Sequence, residues 1–385
     1  MKERSNSRIE GMRTWVDIDI SSITNNYNIF RSIISKKTKL CAVVKSNAYG
    51  HDLIQFSKEM EKLGIDFFAV DSVLEGIKLR KEGISKPILV LGYTLPELIN
   101  DASLHDISVT ISSIDSLRAL LKIKLKGNKI KVHIKVDTGM HRQGFFLDQA
   151  HTLFTMLNSI MSKVEIEGLY THFASAKNPA FPQYTESQRK VFDLWVNIFK
   201  EKGIRPILHT AATGGTMLFP DTHYDMVRVG IGMYGLWPSK ESKSAKFEQY
   251  NLMPILSWKT IICEIKKVEA GSGIGYDLTE KVQKRMTIAI CPVGYWHGYS
   301  RQLSSVGHVI IRGVKARVVG RISMDMMVVD VTQIDDVSVL DEVILLGKDV
   351  ISGSIMSAEE LANMSDTINY ELVTRINPLT RRIYQ

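Results

Sequence analysis

Between Trp15 and Trp237, short apolar runs alternate with stretches whose apolar positions recur every three to four residues. A short apolar run bounded by polar residues suits a strand buried on both faces. The wider spacing suits a helix with one face on a core. The pattern predicts strands over 40–44, 67–70, 88–91, 108–111, 131–136, 168–172 and 225–229, and helices over 53–62, 72–81 and 187–202. Sustained alternation of this kind predicts a parallel (β/α)8 barrel, with an open doubly wound sheet as the alternative. No G-x-G-x-x-G follows an early strand, which disfavours a dinucleotide-binding sheet.

After Pro238 the pattern changes. Residues 239–249 are charged and small, which reads as a linker. From Ile255 onward β-branched runs dominate, over 258–265, 286–291, 308–311, 315–319, 326–331 and 342–346, so a mainly β domain is expected there. One helix is expected over 357–365. The predicted domains are a barrel over 13–245 and a β-rich domain over 246–385, with residues 1–12 associated with the second.

Composition narrows the class. The chain has 385 residues, 44% of them hydrophobic, enough for a large core in one or two domains. Its three cysteines, Cys41, Cys263 and Cys291, are far apart in sequence. That spacing argues against a disulfide framework and against a zinc site, and suits a reducing compartment. The polar first residues give no expectation of a secretory signal, and no run reaches membrane-spanning length, so a cytoplasmic location is expected. The net charge of +8 raises the question of nucleic acid. The densest basic group, from Lys122 to Lys131, surrounds the turn signal Gly127-Asn128, and a solvated loop face is the reading preferred over a nucleic-acid groove.

Several polar residues stand where strands end. Lys45 follows the apolar run 40–44, which places it either at a strand mouth as a reactive amine or as an ordinary surface lysine. His172 closes the run 168–172, as a site residue or as a satisfied core histidine. The Gly-containing segments 209–215 and 229–232 could cradle a phosphate through backbone N–H groups or simply let loops turn tightly. Arg228 sits in an apolar, Gly-rich setting that suits a surface ion pair poorly.

The run Ala42-Val43-Val44-Lys45-Ser46-Asn47-Ala48-Tyr49-Gly50-His51 resembles the signature of the alanine racemases, pyridoxal 5'-phosphate (PLP) enzymes of fold type III. The resemblance extends from Thr14-Trp15 to Arg381-Arg382-Ile383-Tyr384, nearly the whole chain. It implies that Lys45 holds the cofactor covalently and that Tyr49 touches its phosphate. Thr213, where serine is common, and the Gly230-Ile231 amides would bind the phosphate as well. His172 would lie near the ring. The segment 226–235 is similar to the one whose arginine, here Arg228, faces the pyridine nitrogen. A guanidinium only donates, so that nitrogen must accept and stay neutral. A neutral ring is the poorer electron sink, which should limit transamination.

Lys135-Val136-Asp137-Thr138-Gly139-Met140-His141-Arg142-Gln143-Gly144 resembles the family's K-x-D-T-G-M-x-R-x-G motif. By that resemblance Arg142 approaches the substrate carboxylate, and Lys135 matches a position carbamylated in some relatives. Gly273-Ile274-Gly275-Tyr276 resembles the segment of the second base. A free phenol titrates near pH ~10, so such a base needs cationic neighbours. In the family this tyrosine reaches the barrel of the other subunit, which implies a head-to-tail homodimer with shared sites. The segments 292–301 and 320–326 resemble two further motifs of the β domain. They imply that the Met324 amide meets the substrate carboxylate, that Tyr295, Arg301 and Arg321 line the entrance, and that Asp325 stands behind them.

Five positions depart from the family pattern: Asp277 for glycine, His297 for aspartate, Lys177 where an acid is frequent, His141 for glycine, and Pro378 where many members carry a phosphate-touching tyrosine. The expected function is interconversion of L- and D-alanine by Lys45 and Tyr276, supplying D-alanine for peptidoglycan, with no metal and no nucleic-acid or membrane partner. The alternatives are a racemase for serine or a broader set of amino acids, a fold-related decarboxylase that Arg228 speaks against, and a non-catalytic PLP-carrier protein.

Overall fold

The computed structural model describes residues 11–385, so most of the expected placement of residues 1–12 lies outside the described residues. The chain forms two compact units. One comprises Ser21–Ala48 and Leu53–Met253. The other comprises the described residues through Ile20, Tyr49–Asp52 and Pro254–Gln385.

The first strand, β1 (Thr14–Ile18), belongs to the second unit. The first unit is a barrel of eight parallel strands: β2 (Lys39–Val43), β3 (Phe67–Val70), β4 (Ile88–Val90), β5 (Ile107–Ile111), β6 (Ile130–Lys135), β7 (Val164–Tyr170), β8 (Ile207–His209) and β9 (Met226–Val229). Neighbours pair in the order β9-β2-β3-β4-β5-β6-β7-β8. The ring closes between β9 and β8, where Asp225 N–H donates to the Leu208 carbonyl at 3.0 Å and Arg228 N–H to the Ala211 carbonyl at 2.9 Å.

The expected strands all appear within a few residues of their predicted bounds, but β8 has no counterpart among them. Its apolar run is only Ile207-Leu208 before His209 and Thr210, too brief to read as a strand, whereas the equally short β4 sits in the continuous run Ile88-Leu89-Val90-Leu91. The helices form for readable reasons. Ser72 caps Val73–Lys81 by accepting from Glu75 N–H at 3.3 Å. Pro182 opens the helix Pro182–Glu201 earlier than expected. That helix buries Thr185, Gln188, Phe192, Trp195 and Phe199, a spacing of three and four that keeps one stripe on the barrel. The expected linker over 239–249 contains instead a helix, Lys240–Lys246, because Ser239 Oγ accepts from Ser242 N–H at 3.1 Å and starts a turn that its charged composition did not suggest.

The second unit is built on β10 (Leu256–Ile261), β11 (Glu264–Val268), the short pair β12 (Gly273–Ile274) and β13 (Glu280–Lys281), β14 (Met286–Cys291), β15 (His308–Ile311), β16 (Val314–Val319), β17 (Met327–Asp330), β18 (Glu342–Lys348), β19 (Ile355–Met356) and β20 (Arg382–Tyr384). The main sheet runs β11-β14-β17-β16-β15-β18-β10-β1-β20. The single strand expected over 258–265 is two. At Ile262 and Cys263 the chain changes neighbours, the first donating to the Asp341 carbonyl before β18 and the second to the Ile290 carbonyl of β14. The inserted residues are pinned within this unit: Arg382 Nε donates to the Gly50 carbonyl at 3.0 Å and the Tyr384 hydroxyl to the His51 carbonyl at 2.6 Å. At Gly50, with φ +86°, a Cβ would stand 2.2 Å from the Val373 carbonyl oxygen, so no other residue fits.

Candidate active site

Lys45 lies two residues beyond β2, and its side chain is 37% exposed. Its ammonium stands 3.7 Å from an Asp71 carboxylate oxygen, a neighbour the sequence did not flag. Ser46, Asn47, Ala48 and Tyr49 then all adopt left-handed backbone, with φ between 52° and 56°. None is glycine, so each pays the steric cost of that region. Ser46 N–H donates to Glu75 Oε1 at 2.8 Å, and Asn47 Oδ1 accepts from Leu53 N–H at 3.0 Å. Tyr49 belongs to the second unit, where its ring lies 6.1 Å from that of Tyr370 and burial pushes its phenol up to about 12.

Arg228 is the best-buried cation of the barrel. It is 3% exposed and projects from β9. Its Nη1 donates to His209 Nδ1 at 2.7 Å and to the His209 carbonyl at 3.0 Å. Its Nη2 donates to the carbonyls of Thr171 at 2.9 Å and Thr210 at 3.1 Å. Every acceptor it meets among the described residues is neutral, and its Nε–H has none. The guanidinium also lies over the Tyr170 ring, 5.1 Å from its centroid.

His172 stands two residues past β7 with Nδ1 3.5 Å from Arg228 Nη2. Burial first, then the charges of Arg228 and Arg142, push its imidazole down to about 3, so it is neutral. Burial likewise leads in bringing Lys135 down to about 8, helped by Arg142 and Arg228. Lys135, Arg142, Thr171 and His172 line one cleft with Asp137, Met140 and Gln143. Thr213 begins the helix Thr213–Leu218, and its hydroxyl accepts from Gly232 N–H at 3.3 Å. This joins the two Gly-containing loops. A Cβ on Gly232 would stand 2.7 Å from the Thr213 side chain. Gly230 and Ile231 lie beside it, at the start of a 3-10 turn over Ile231–Tyr234.

Two sequence models cover almost all of this fold. The alanine racemase N-terminal domain matches residues 18–238, and the alanine racemase C-terminal domain matches residues 255–384. The chain belongs to the alanine racemase family. The alanine racemase of Methanococcus maripaludis is 40% identical over 372 residues, covering 96% of this chain and 98% of the relative. That of Desulforamulus reducens is 37% identical over the same shares. Among solved structures, alanine racemase from Clostridium difficile 630 superposes with a TM-score of 0.91 at 34% identity, covering 98% of this chain and 97% of that one. The Bacillus anthracis alanine racemase with bound L-Ala-P gives the same score and identity, covering 98% and 96%.

The remaining residues flagged by the racemase motifs lie in the second unit. Tyr276 follows β12 and is 66% exposed. Asp277 beside it takes φ +59°, a left-handed conformation that glycine would adopt without cost, and pairs with Arg321 Nε at 3.0 Å. Met324 and Tyr295 are exposed on adjoining loops: Tyr295 N–H donates to the Ser323 carbonyl and Trp296 N–H to the Met324 carbonyl. Arg301 opens a 3-10 turn whose following residue, Ser304, accepts from Ile322 N–H at 3.1 Å. His297 and Asp325 interact electrostatically. Pro378 is exposed, next to Asn377, whose N–H donates to the His297 carbonyl. Lys177 is set in the barrel unit, its carbonyl accepting from Ser239 Oγ. The motifs did not single out Asp71, or the polar group of His133, Glu167 and Tyr170 packed beneath Arg228. Among the described residues no helix is long and apolar enough to cross a membrane.

Proposed function

We propose that this protein interconverts L- and D-alanine with pyridoxal phosphate, in the cytoplasm, as a homodimer, and so supplies D-alanine for the cell wall. The residues present fit that cofactor. Arg228 offers an Nε–H without an acceptor among the described residues, which suits a pyridine nitrogen bearing a lone pair. The paired loops at Thr213 and Gly230-Ile231 suit a phosphate, since the opening N–H groups of a helix have no intrahelical partner. Lys45 would hold the aldehyde carbon, Tyr49 the phosphate and His172 the ring.

Bound there, pyridoxal phosphate would supply an electron sink for the pair left at Cα. The chain's own residues do the rest. Lys45 and Tyr276 serve opposite faces of Cα, one removing the proton and the other returning it. Arg142 and the Met324 N–H hold the carboxylate. Tyr276 and Met324 come from the second unit, and we assign them to the site of a partner subunit, with Tyr295, Arg301, Arg321 and Asp325 around the entrance.

The observation that carries this reading is Arg228, a buried cation with only neutral acceptors. A carboxylate in its place would favour a protonated ring nitrogen and with it other chemistry. The test is purified protein with pyridoxal phosphate and L-alanine in D2O, followed by circular dichroism and by deuterium at Cα. Loss of optical activity with deuterium entering Cα is expected, and Lys45→Ala should abolish both. Retained optical activity in cofactor-loaded wild-type protein would overturn the assignment.

A further inference from the structure

A chain of hydrogen bonds runs away from Arg228 through the barrel core. His209 Nε2 lies 2.8 Å from His133 Nδ1, and His133 Nε2 lies 2.9 Å from Glu167 Oε2, which also accepts from the Ser108 hydroxyl. His133 and His209 are fully buried. Arginine only donates, so His209 Nδ1 must accept and its hydrogen sits on Nε2. His133 Nδ1 must then accept in turn, which puts its hydrogen on Nε2, facing the carboxylate. No other assignment satisfies all three contacts.

The backbone makes room for this chain. Pairing of β6 with β7 sets Val132 against Ile166 and His133 against Gly168, so Glu167 is the extra residue of a β-bulge. The bulge brings the Glu167 carboxylate to His133. Opposite it, a Cβ on Gly168 would stand 2.0 Å from His133 Nδ1. Tyr170 stacks on His209 with centroids 4.8 Å apart and planes 8° from parallel. Its hydroxyl donates to Thr110 Oγ1, because that oxygen already gives its hydrogen to the Val90 carbonyl.

We propose that Glu167, His133 and His209 are positioning residues that orient Arg228 by fixed polarity. Arg228 at one end and the carboxylate at the other hold both imidazoles in the Nε2–H form, so that His209 offers Arg228 a lone pair. The chain conducts no proton to Arg228, which has no site to receive one. Its purpose, on the reading above that Arg228 faces the cofactor nitrogen, is to keep the guanidinium in one pose with the Nε–H left over for that nitrogen. It also sets a carboxylate charge at the far end of a buried cation that has none nearby.

The experiment is 15N NMR of histidine-labelled protein, together with kinetics of Glu167→Ala and Glu167→Gln in the cofactor-loaded enzyme. In wild-type protein His209 and His133 should each show a protonated Nε2 and an unprotonated Nδ1. Glu167→Ala removes the acceptor of the His133 Nε2–H and should shift the signal of that nitrogen, while His209, still facing Arg228, keeps its Nε2–H form. The substitution should also lower kcat roughly tenfold, the lower end of what an outer hydrogen-bond partner contributes at other sites, with KM changed less than twofold. Glu167→Gln keeps an acceptor and should restore most of that loss. A protonated Nδ1 on His209 overturns the proposal, as does a Glu167→Ala spectrum identical to wild type. The wild-type spectrum decides the polarity even where Glu167→Ala does not fold. Because the tautomers are read without turnover, the expected spectrum in a protein that fails to racemise alanine would support the relay and sink the function.

Discussion

Replacing Gly168 by alanine tests whether the barrel core is built around the His133 ring. The added Cβ would stand 2.0, 2.4 and 2.6 Å from three atoms of that ring. Ordinary carbon contacts begin near ~3.5 Å, so the ring must retreat by about 1.5 Å. The hydrogen bonds at 2.8 Å to His209 and 2.9 Å to Glu167 do not survive such a shift. Each buried group left unpaired costs about 1–3 kcal/mol, and overpacking adds about 1–3 kcal/mol. Alanine returns about 0.5–1 kcal/mol through its lower backbone entropy in a strand. With one group left unpaired at each of the two broken bonds, the balance is a loss of about 2–8 kcal/mol, read from urea unfolding by far-ultraviolet circular dichroism. Gly83 is the control. Its φ is +89° and nothing lies within 4 Å of an added Cβ, so alanine there should cost only about 1 kcal/mol. A Gly168→Ala protein that loses less than about 1 kcal/mol would refute the argument, because the ring would then not be held where its two bonds place it.

Two other perturbations have definite signs. Lys135 titrates at about 8 when folded and near ~10.4 when unfolded, so carrying its charge in the cleft costs stability fully below pH ~8 and not at all above pH ~10.4. Lys135→Met should therefore stabilise the protein by about 2 kcal/mol at pH 7, after losing the 3.3 Å bond to Gln143, and thermal melts should show the gain shrinking from pH 8 to 10.4. Ser239→Ala should cost about 1 kcal/mol and speed amide exchange in the helix Lys240–Lys246 without altering exchange elsewhere.

The legibility of this chain in its sequence follows from how local each signal is. The strand β3 and the helix Leu53–Lys62 fall where the apolar spacing puts them, because a run of buried positions is visible in one dimension. In β8 only the last residue, His209, is fully buried, so it shows no such run, and the break at Ile262-Cys263 hides inside continuous β-branched text. Residues on short motifs, such as Lys45 and Arg228, could be picked out by their neighbours. The relay could not, since His133, Glu167 and His209 are brought together by a bulge that only pairing reveals. A faint signal did exist. Lys131, His133 and Lys135 alternate with apolar residues on β6, which sets three basic side chains on one strand face. Nothing in Ser46-Asn47-Ala48-Tyr49 announces a left-handed turn, because no glycine marks it.

That turn bears on how such a protein can be inherited. Four successive left-handed residues cost roughly 4–8 kcal/mol, so the segment holds its shape only under external restraint. The restraints on its opening residues, from Glu75 and Leu53, belong to the barrel. Those on Tyr49 and the two residues after it, from Tyr370, Arg382 and Tyr384, belong to the β unit. A recombination event that exchanged one unit for a foreign counterpart would leave half of the segment unsupported, at the very stretch that carries Lys45 and Tyr49. The two units are distinct as compact bodies but not as heritable modules, and Val373, Arg382 and Tyr384 have to travel with the four residues from Tyr49 to Asp52.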